Sequence, residues 1–62
     1  MKLPPLNALR AFEAASRNGT YVAAAAELGV SPAAVSQQVR NLERFFGKRL
    51  FERHHNRVAL TE

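Results

Sequence analysis

The chain has 62 residues, 47% hydrophobic and 23% charged, with nine Lys and Arg, five acidic residues and no Cys. A chain this short forms at most one domain and hides only about 60% of the surface its unfolded form exposes. Without Cys there is neither a disulfide framework nor a thiolate metal site, and no apolar run approaches the ~20 residues that span a bilayer. The opening MKLPPLNALR lacks a signal peptide's long apolar core and cleavage site. The expectation is a soluble, cytoplasmic domain with no cofactor. Its net charge is +4 and its pI about 10.8. The excess is concentrated late in the chain, where Arg40, Arg44, Lys48, Arg49, Arg53 and Arg57 face only Glu43 and Glu52. Clustered positive charge on a small domain favours a polyanionic partner, although a solvated basic face has the same composition.

Pro4-Pro5 suits the entry to a first helix. Leu6, Leu9, Phe12 and Ala15 then recur at helical spacing, which predicts that they form its buried stripe. Asn18-Gly19 stops this helix, since both residues accept a left-handed backbone. Thr20 is a suitable N-cap for a second helix, in which Tyr21, Ala24, Ala25 and Leu28 follow the i, i+3, i+4, i+7 pattern. The run Ala23 to Ala26 has high helix propensity and almost no bulk, so a neighbouring helix can approach closely.

Gly29-Val30 breaks the second helix, and Ser31-Pro32 starts a third with a hydroxyl cap and proline in the first turn. Val35, Val39, Leu42 and Phe46 fall within about 60° of one another on the helical wheel and form its expected core face. Ala33, Ser36, Gln37, Arg40 and Arg44 cluster on the opposite side, within about 100°. Gly47 ends the helix. RLFER, HHNR and VALTE then suggest a two-stranded hairpin with its tip near His54 to Arg57, where Asn56 accepts a positive φ. A hairpin this small must pack on the helices. The expected fold class is therefore mainly α: a three-helix winged helix-turn-helix with a short C-terminal β-hairpin wing. The helix-turn-helix covers about residues 20–39 and the wing about 49–61.

In such a fold the third helix enters the major groove of double-stranded DNA with its N-terminal half at the base edges. The small surface of Pro32, Ala33 and Ser36 lets the helix sink in, and Gln37 can bond an adenine edge bidentately. Arg40 and Arg44 can reach phosphate or guanine, while Lys48 and Arg49 sit where the helix hands over to the wing. Arg53 and Arg57 suit the negative potential of a minor groove. Thr20, Ser31 and Gln38 complete the expected phosphate contacts, and Asn56 the wing contacts. Arg10 and Arg17 can reach phosphates or serve as solvated surface. Glu43 is expected to pair with a neighbouring Arg, and Phe45, about 100° off the apolar stripe, to cover the hairpin or a following helix.

LPPLNALRAFEAAS, AAAAELGVS, SPAAVSQQVRNLE and GKRLFER followed by VALTE resemble, in order and spacing, the N-terminal DNA-binding domain of LysR-type transcriptional regulators, most closely the branch of the glycine-cleavage activator. The resemblance covers nearly the whole chain. It implies base contacts from Pro32, Ala33, Ser36 and Gln37 and a minor-groove contact from Arg53 and its neighbours. It also implies operators with inverted-repeat half-sites and a homodimer or tetramer of the full-length protein. The linker helix that pairs subunits and the C-terminal domain that senses a small-molecule effector would lie beyond this chain. Three features depart from the common pattern: Gln37 stands where many members carry Arg, Val22 where many carry Ser or Thr, and His54-His55 where Gly or Ser is common.

Other chemistries fit less well. Adjacent His residues in a strand point to opposite faces, and no Cys or paired carboxylate completes a metal site. Ser36 has no His at helical spacing to activate it as a nucleophile, so no catalytic residue is expected. The remaining rival is a winged helix that binds protein and reads no bases. Salt separates the two, because DNA affinity falls steeply with ionic strength.

Overall fold

The helix starts follow from their caps. Pro5 precedes the first helix, α1 (Leu6–Asn18), in an extended conformation, and its carbonyl accepts from Leu9 N–H at 3.1 Å. Thr20 Oγ1 accepts from Ala23 N–H at 3.0 Å to open α2 (Tyr21–Leu28). Ser31 Oγ accepts from Ala34 N–H at 3.1 Å to open α3 (Pro32–Phe46), with Pro32 in the first turn. The two hydroxyl caps satisfy donors that have no partner inside the helix, and each contributes about 1 kcal/mol. Between α2 and α3 the chain turns sharply at Gly29, whose φ of 71° is left-handed and costly for a residue with a Cβ. Gly29 N–H and Val30 N–H both return to the Ala25 carbonyl, so the turn is fixed at its first two residues.

After α3 come two antiparallel strands, β1 (Phe51–His54) and β2 (Arg57–Leu60), paired Phe51 with Leu60, Glu52 with Ala59, Arg53 with Val58 and His54 with Arg57. The computed structural model describes residues 4–54 and 57–60, with side chains placed over residues 4–52. The fold is a winged helix-turn-helix, as the residue pattern predicts. The expected positive φ at Asn56 falls outside the described residues.

Among the described residues the interior is made mostly of alanine. Ala8, Ala11, Ala14 and Ala15 of α1 and Ala24 and Ala25 of α2 are buried, with Val35, Val39 and Leu42 from α3. Methyl side chains let helices approach closely, but they leave little apolar bulk to exclude water. Val35, Val39 and Leu42 supply part of that bulk, and Phe51 at the start of β1, 2% exposed, is the largest fully buried side chain among the described residues. Its ring stacks on Phe12 with centroids 5.1 Å apart, and Tyr21 meets it edge-on at 6.3 Å. Phe51 thereby ties β1 to α1 and α2, and β2 also packs on α1.

Two expected core assignments are corrected. Leu6 is 72% exposed and Leu9 also lies outside the core. A repeated i+3 step drifts by about 60° each time, so Leu6 and Ala15 lie on opposite sides of α1. The buried stripe is instead Ala8, Ala11, Ala14 and Ala15. Phe46 is 52% exposed although its azimuth matches Val35. Azimuth alone does not bury it: the last turn of α3 is covered less than the turns that carry Val35, Val39 and Leu42. There the rings of Phe46 and Phe45 meet at 88° with centroids 5.2 Å apart, and Phe45 stays exposed as well.

Glu43 also differs from expectation. Its Oε2 accepts from Leu50 N–H at 2.8 Å and Phe51 N–H at 3.4 Å, and its carbonyl accepts from Gly47 and Lys48 N–H. A carboxylate placed there satisfies donors at the entry to β1 and sets where Phe51 enters the core. Arg17, considered for phosphate, is occupied within the fold. Its guanidinium donates to Glu13 across one helical turn at 2.8 and 3.0 Å and to Glu27 of α2, which also accepts from Asn18 Nδ2 at 3.1 Å.

Phe51→Ala should cost about 3–5 kcal/mol, as for other large aromatic truncations. A domain of this size has only about 3–9 kcal/mol in total. Urea or thermal denaturation followed by circular dichroism should show most of the folded population lost, and a melt like that of the unchanged chain would contradict the packing described. A second expectation concerns acid. The Arg17 guanidinium, then the Asn18 amide, lower the Glu27 carboxyl from its ordinary 4.5 to about 2. A depressed carboxyl stabilises the fold above its unfolded value and loses that contribution as pH falls from about 4.5 towards 2. In this window the melting temperature of Glu27→Gln should depend less on pH than that of the unchanged chain, and high salt should shrink the difference because the pair is exposed.

Candidate nucleic-acid interface

Burying Val35, Val39 and Leu42 turns the opposite side of α3 outward. At its N-terminal end Ser31, Pro32 and Ala33 are exposed, so this part of the helix presents little bulk. One turn later come half-buried Ser36 and exposed Gln37. The four expected base readers thus lie together on two successive turns, next to the capped helix start.

The polar side chains of this face bond to one another. Arg40 donates to Ser36 Oγ at 2.7 Å and to Gln37 Oε1 at 3.0 Å. Gln37 Nε2 donates to Asn41 Oδ1 at 3.1 Å, and Arg44 donates to the same oxygen. Arg40 and Arg44, expected at phosphates, are therefore joined through the amides of Gln37 and Asn41. Asn41 has no place among the residues singled out from sequence. Its spacing, four residues after Gln37 and three before Arg44, is the signal that would have found it.

A concave surface continues from this face onto the connection to β1, bordered by Gln37, Arg40, Arg44, Lys48 and Arg49, with Glu43 at its base. Four cations share one groove because α3 ends at Gly47 and the chain then turns across its end. Thr20 and Ser31 are the N-caps of α2 and α3; a capping hydroxyl that accepts a bond still has its own hydrogen to donate. Gln38 lies on a different flank of α3, in a second concavity with Asn7, Arg10, Val30 and Ala34. It does not join the groove of Gln37. Arg53 occupies β1 opposite Val58 and Arg57 opens β2. Their side chains, and Asn56, lie outside the described positions. Among the described residues no helix is long and apolar enough to cross a membrane.

Comparison with known proteins is consistent with this arrangement. Residues 6–62 match the family model of the bacterial regulatory helix-turn-helix protein, lysR family. The glycine cleavage system transcriptional activator of Escherichia coli K12 is 52% identical over 61 residues, which cover 98% of this chain and 20% of that protein. The chain therefore spans about a fifth of the length of this relative. Among solved structures, the CbnR DBD–DNA complex superimposes with a TM-score of 0.88 at 35% identity, over 92% of this chain and 66% of that one. The BenM DBD complex with benA site 1 DNA gives 0.83 at 33% identity, over 92% of this chain and 64% of that one. With the family model matched over nearly the whole chain and the helix-turn-helix and wing in place, the chain belongs to the lysR family of bacterial regulatory helix-turn-helix proteins.

Proposed function

We propose that this chain binds double-stranded DNA sequence-specifically and serves transcriptional regulation. The observation that carries this reading is the continuity of the small outer face of α3, its Ser36–Arg40–Gln37–Asn41 network and the groove of Arg40, Arg44, Lys48 and Arg49. In this reading Pro32, Ala33, Ser36 and Gln37 meet base edges in the major groove. Thr20, Ser31, Gln38, Arg40, Arg44, Lys48 and Arg49 meet the phosphate backbone, and Arg53, Asn56 and Arg57 approach the minor groove. Two related structures with DNA support the assignment by their fold and identity.

The whole protein, in the same reading, is a cytoplasmic regulator and not an enzyme. Residues 1–62 are its DNA-binding domain, followed by a linker helix and an effector-binding domain. It acts as a homodimer or tetramer on inverted-repeat half-sites. Two domains held together bind cooperatively without new contacts, because the second meets its half-site at a high effective concentration.

Selection from a random duplex pool, followed by affinity measurements across salt concentrations, tests the reading. Gln37→Ala should cost about 1–3 kcal/mol on the selected site and little on random DNA. Lys48→Ala should weaken both duplexes alike and lower the salt slope by about one unit. Equal losses on both duplexes for Gln37→Ala would remove it from the base readers, and affinity insensitive to salt would favour a protein partner. The wing has its own test. Arg53→Ala should reduce the preference for A·T-rich flanks beyond the reach of α3, because Arg responds to minor-groove width. An unchanged flank preference with lower overall affinity would make the wing a phosphate clamp.

A further inference from the structure

We infer that Asn41, together with Arg40, is a positioning residue for base discrimination: it fixes which end of the Gln37 amide is oxygen and which is nitrogen. This rests on the proposed role of Gln37 as a base reader.

The argument begins at the two guanidinium groups, which donate hydrogen bonds and never accept them. Arg40 approaches one end of the Gln37 amide at 3.0 Å, so that end must be Oε1. Arg44 approaches the Asn41 amide, so the atom facing it must be Oδ1. Gln37 meets that same Oδ1 at 3.1 Å and must do so with Nε2. The two cations therefore dictate one polarity for the chain of amides between them. Flipping Gln37 would turn its N–H groups towards Arg40 and its oxygen towards Asn41 Oδ1, creating donor–donor and acceptor–acceptor contacts together.

A locked amide still has capacity to read a base. Nε2 carries a second hydrogen and Oε1 a second lone pair. Adenine offers N7 as an acceptor beside the N6 donor, so it can satisfy both free valences at once. Guanine offers two acceptors, N7 and O6. Against guanine, Oε1 of the locked amide meets O6, whereas a mobile amide can rotate away and keep one bond through Nε2. Asn41 thus acts against the wrong base without touching DNA. It is half-buried and stands one turn after Gln37, within hydrogen-bond reach of that amide.

The test repeats the selection from a random duplex pool with Gln37→Ala, Asn41→Ala and Asn41→Asp, each checked for an unchanged helical circular dichroism spectrum. Gln37→Ala identifies the position that Gln37 reads. At that position Asn41→Ala, which leaves Arg40 alone to orient the amide, should lower the adenine-over-guanine ratio by about threefold, with preferences elsewhere and the salt slope unchanged. Asn41→Asp keeps an oxygen for Gln37 Nε2 and Arg44, so it should retain the ratio while binding every duplex more weakly through its added negative charge. An adenine-over-guanine ratio unchanged by Asn41→Ala, where Gln37→Ala abolishes it, would overturn the positioning role and leave the base-reading role intact. A Gln37→Ala chain with unaltered preferences would overturn the base-reading role and the positioning role with it.

Discussion

The insertion of Phe51 between Phe12 and Tyr21 is the contact on which this fold depends. Helices lined with Ala8, Ala11, Ala14, Ala15, Ala24 and Ala25 come close together, but each methyl removes little apolar area from water. A short chain built that way lacks the burial needed to offset its lost conformational entropy. The ring of Phe51 supplies volume where alanine cannot. Because it begins β1, the same contact that fills the core also helps to fasten the wing, alongside the packing of β2 on α1. Glu43 adds to that coupling from α3, since its carboxylate holds the backbone N–H groups of Leu50 and Phe51.

The outer side of α3 follows from the inner side. Once Val35, Val39 and Leu42 face the core, helical geometry sends Ser36, Gln37, Arg40 and Arg44 outward as neighbours. Neighbouring donors and acceptors at i, i+3 and i+4 then find one another, and the face becomes a connected network. Such a network limits the rotamers available to its members. A recognition surface that is ordered in advance loses less side-chain entropy on binding, which favours affinity and discrimination alike.

Electrostatics divides the surface into two regions with different roles. Around α1 and α2, Arg17 is neutralised by Glu13 and Glu27, so positive charge there is used to join helices. At the end of α3, four cations border a groove that includes only one carboxylate, Glu43, and that carboxylate is occupied by backbone donors. Four of the six Lys and Arg side chains among the described residues are thus gathered at the end of α3. A field arranged in this way steers a polyanion towards α3 before any specific contact forms.

Local sequence rules determined the helices, their caps and the helix-turn-helix, because capping and turn formation depend on residues within a few positions of one another. Thr20, Ser31-Pro32, Gly29 and Gly47 were legible for that reason, as was the polar face of α3. The lysR-family resemblance was legible in the same stretches. What the sequence left undecided was tertiary. Leu6, Leu9 and Phe46 have the composition of core residues, yet whether they are covered depends on how far neighbouring helices extend and at what angle. Phe51 reads as an ordinary strand residue until α1 and α2 are in place around it. Glu43 reads as the partner of a nearby Arg until the chain turns back and brings its own N–H groups closer. Asn41 is conspicuous only when the side chains of Gln37 and Arg44 converge on it. Periodicity gives a residue its direction around a helix axis, but burial and bonding also depend on what stands opposite, and only the assembled helices decide that.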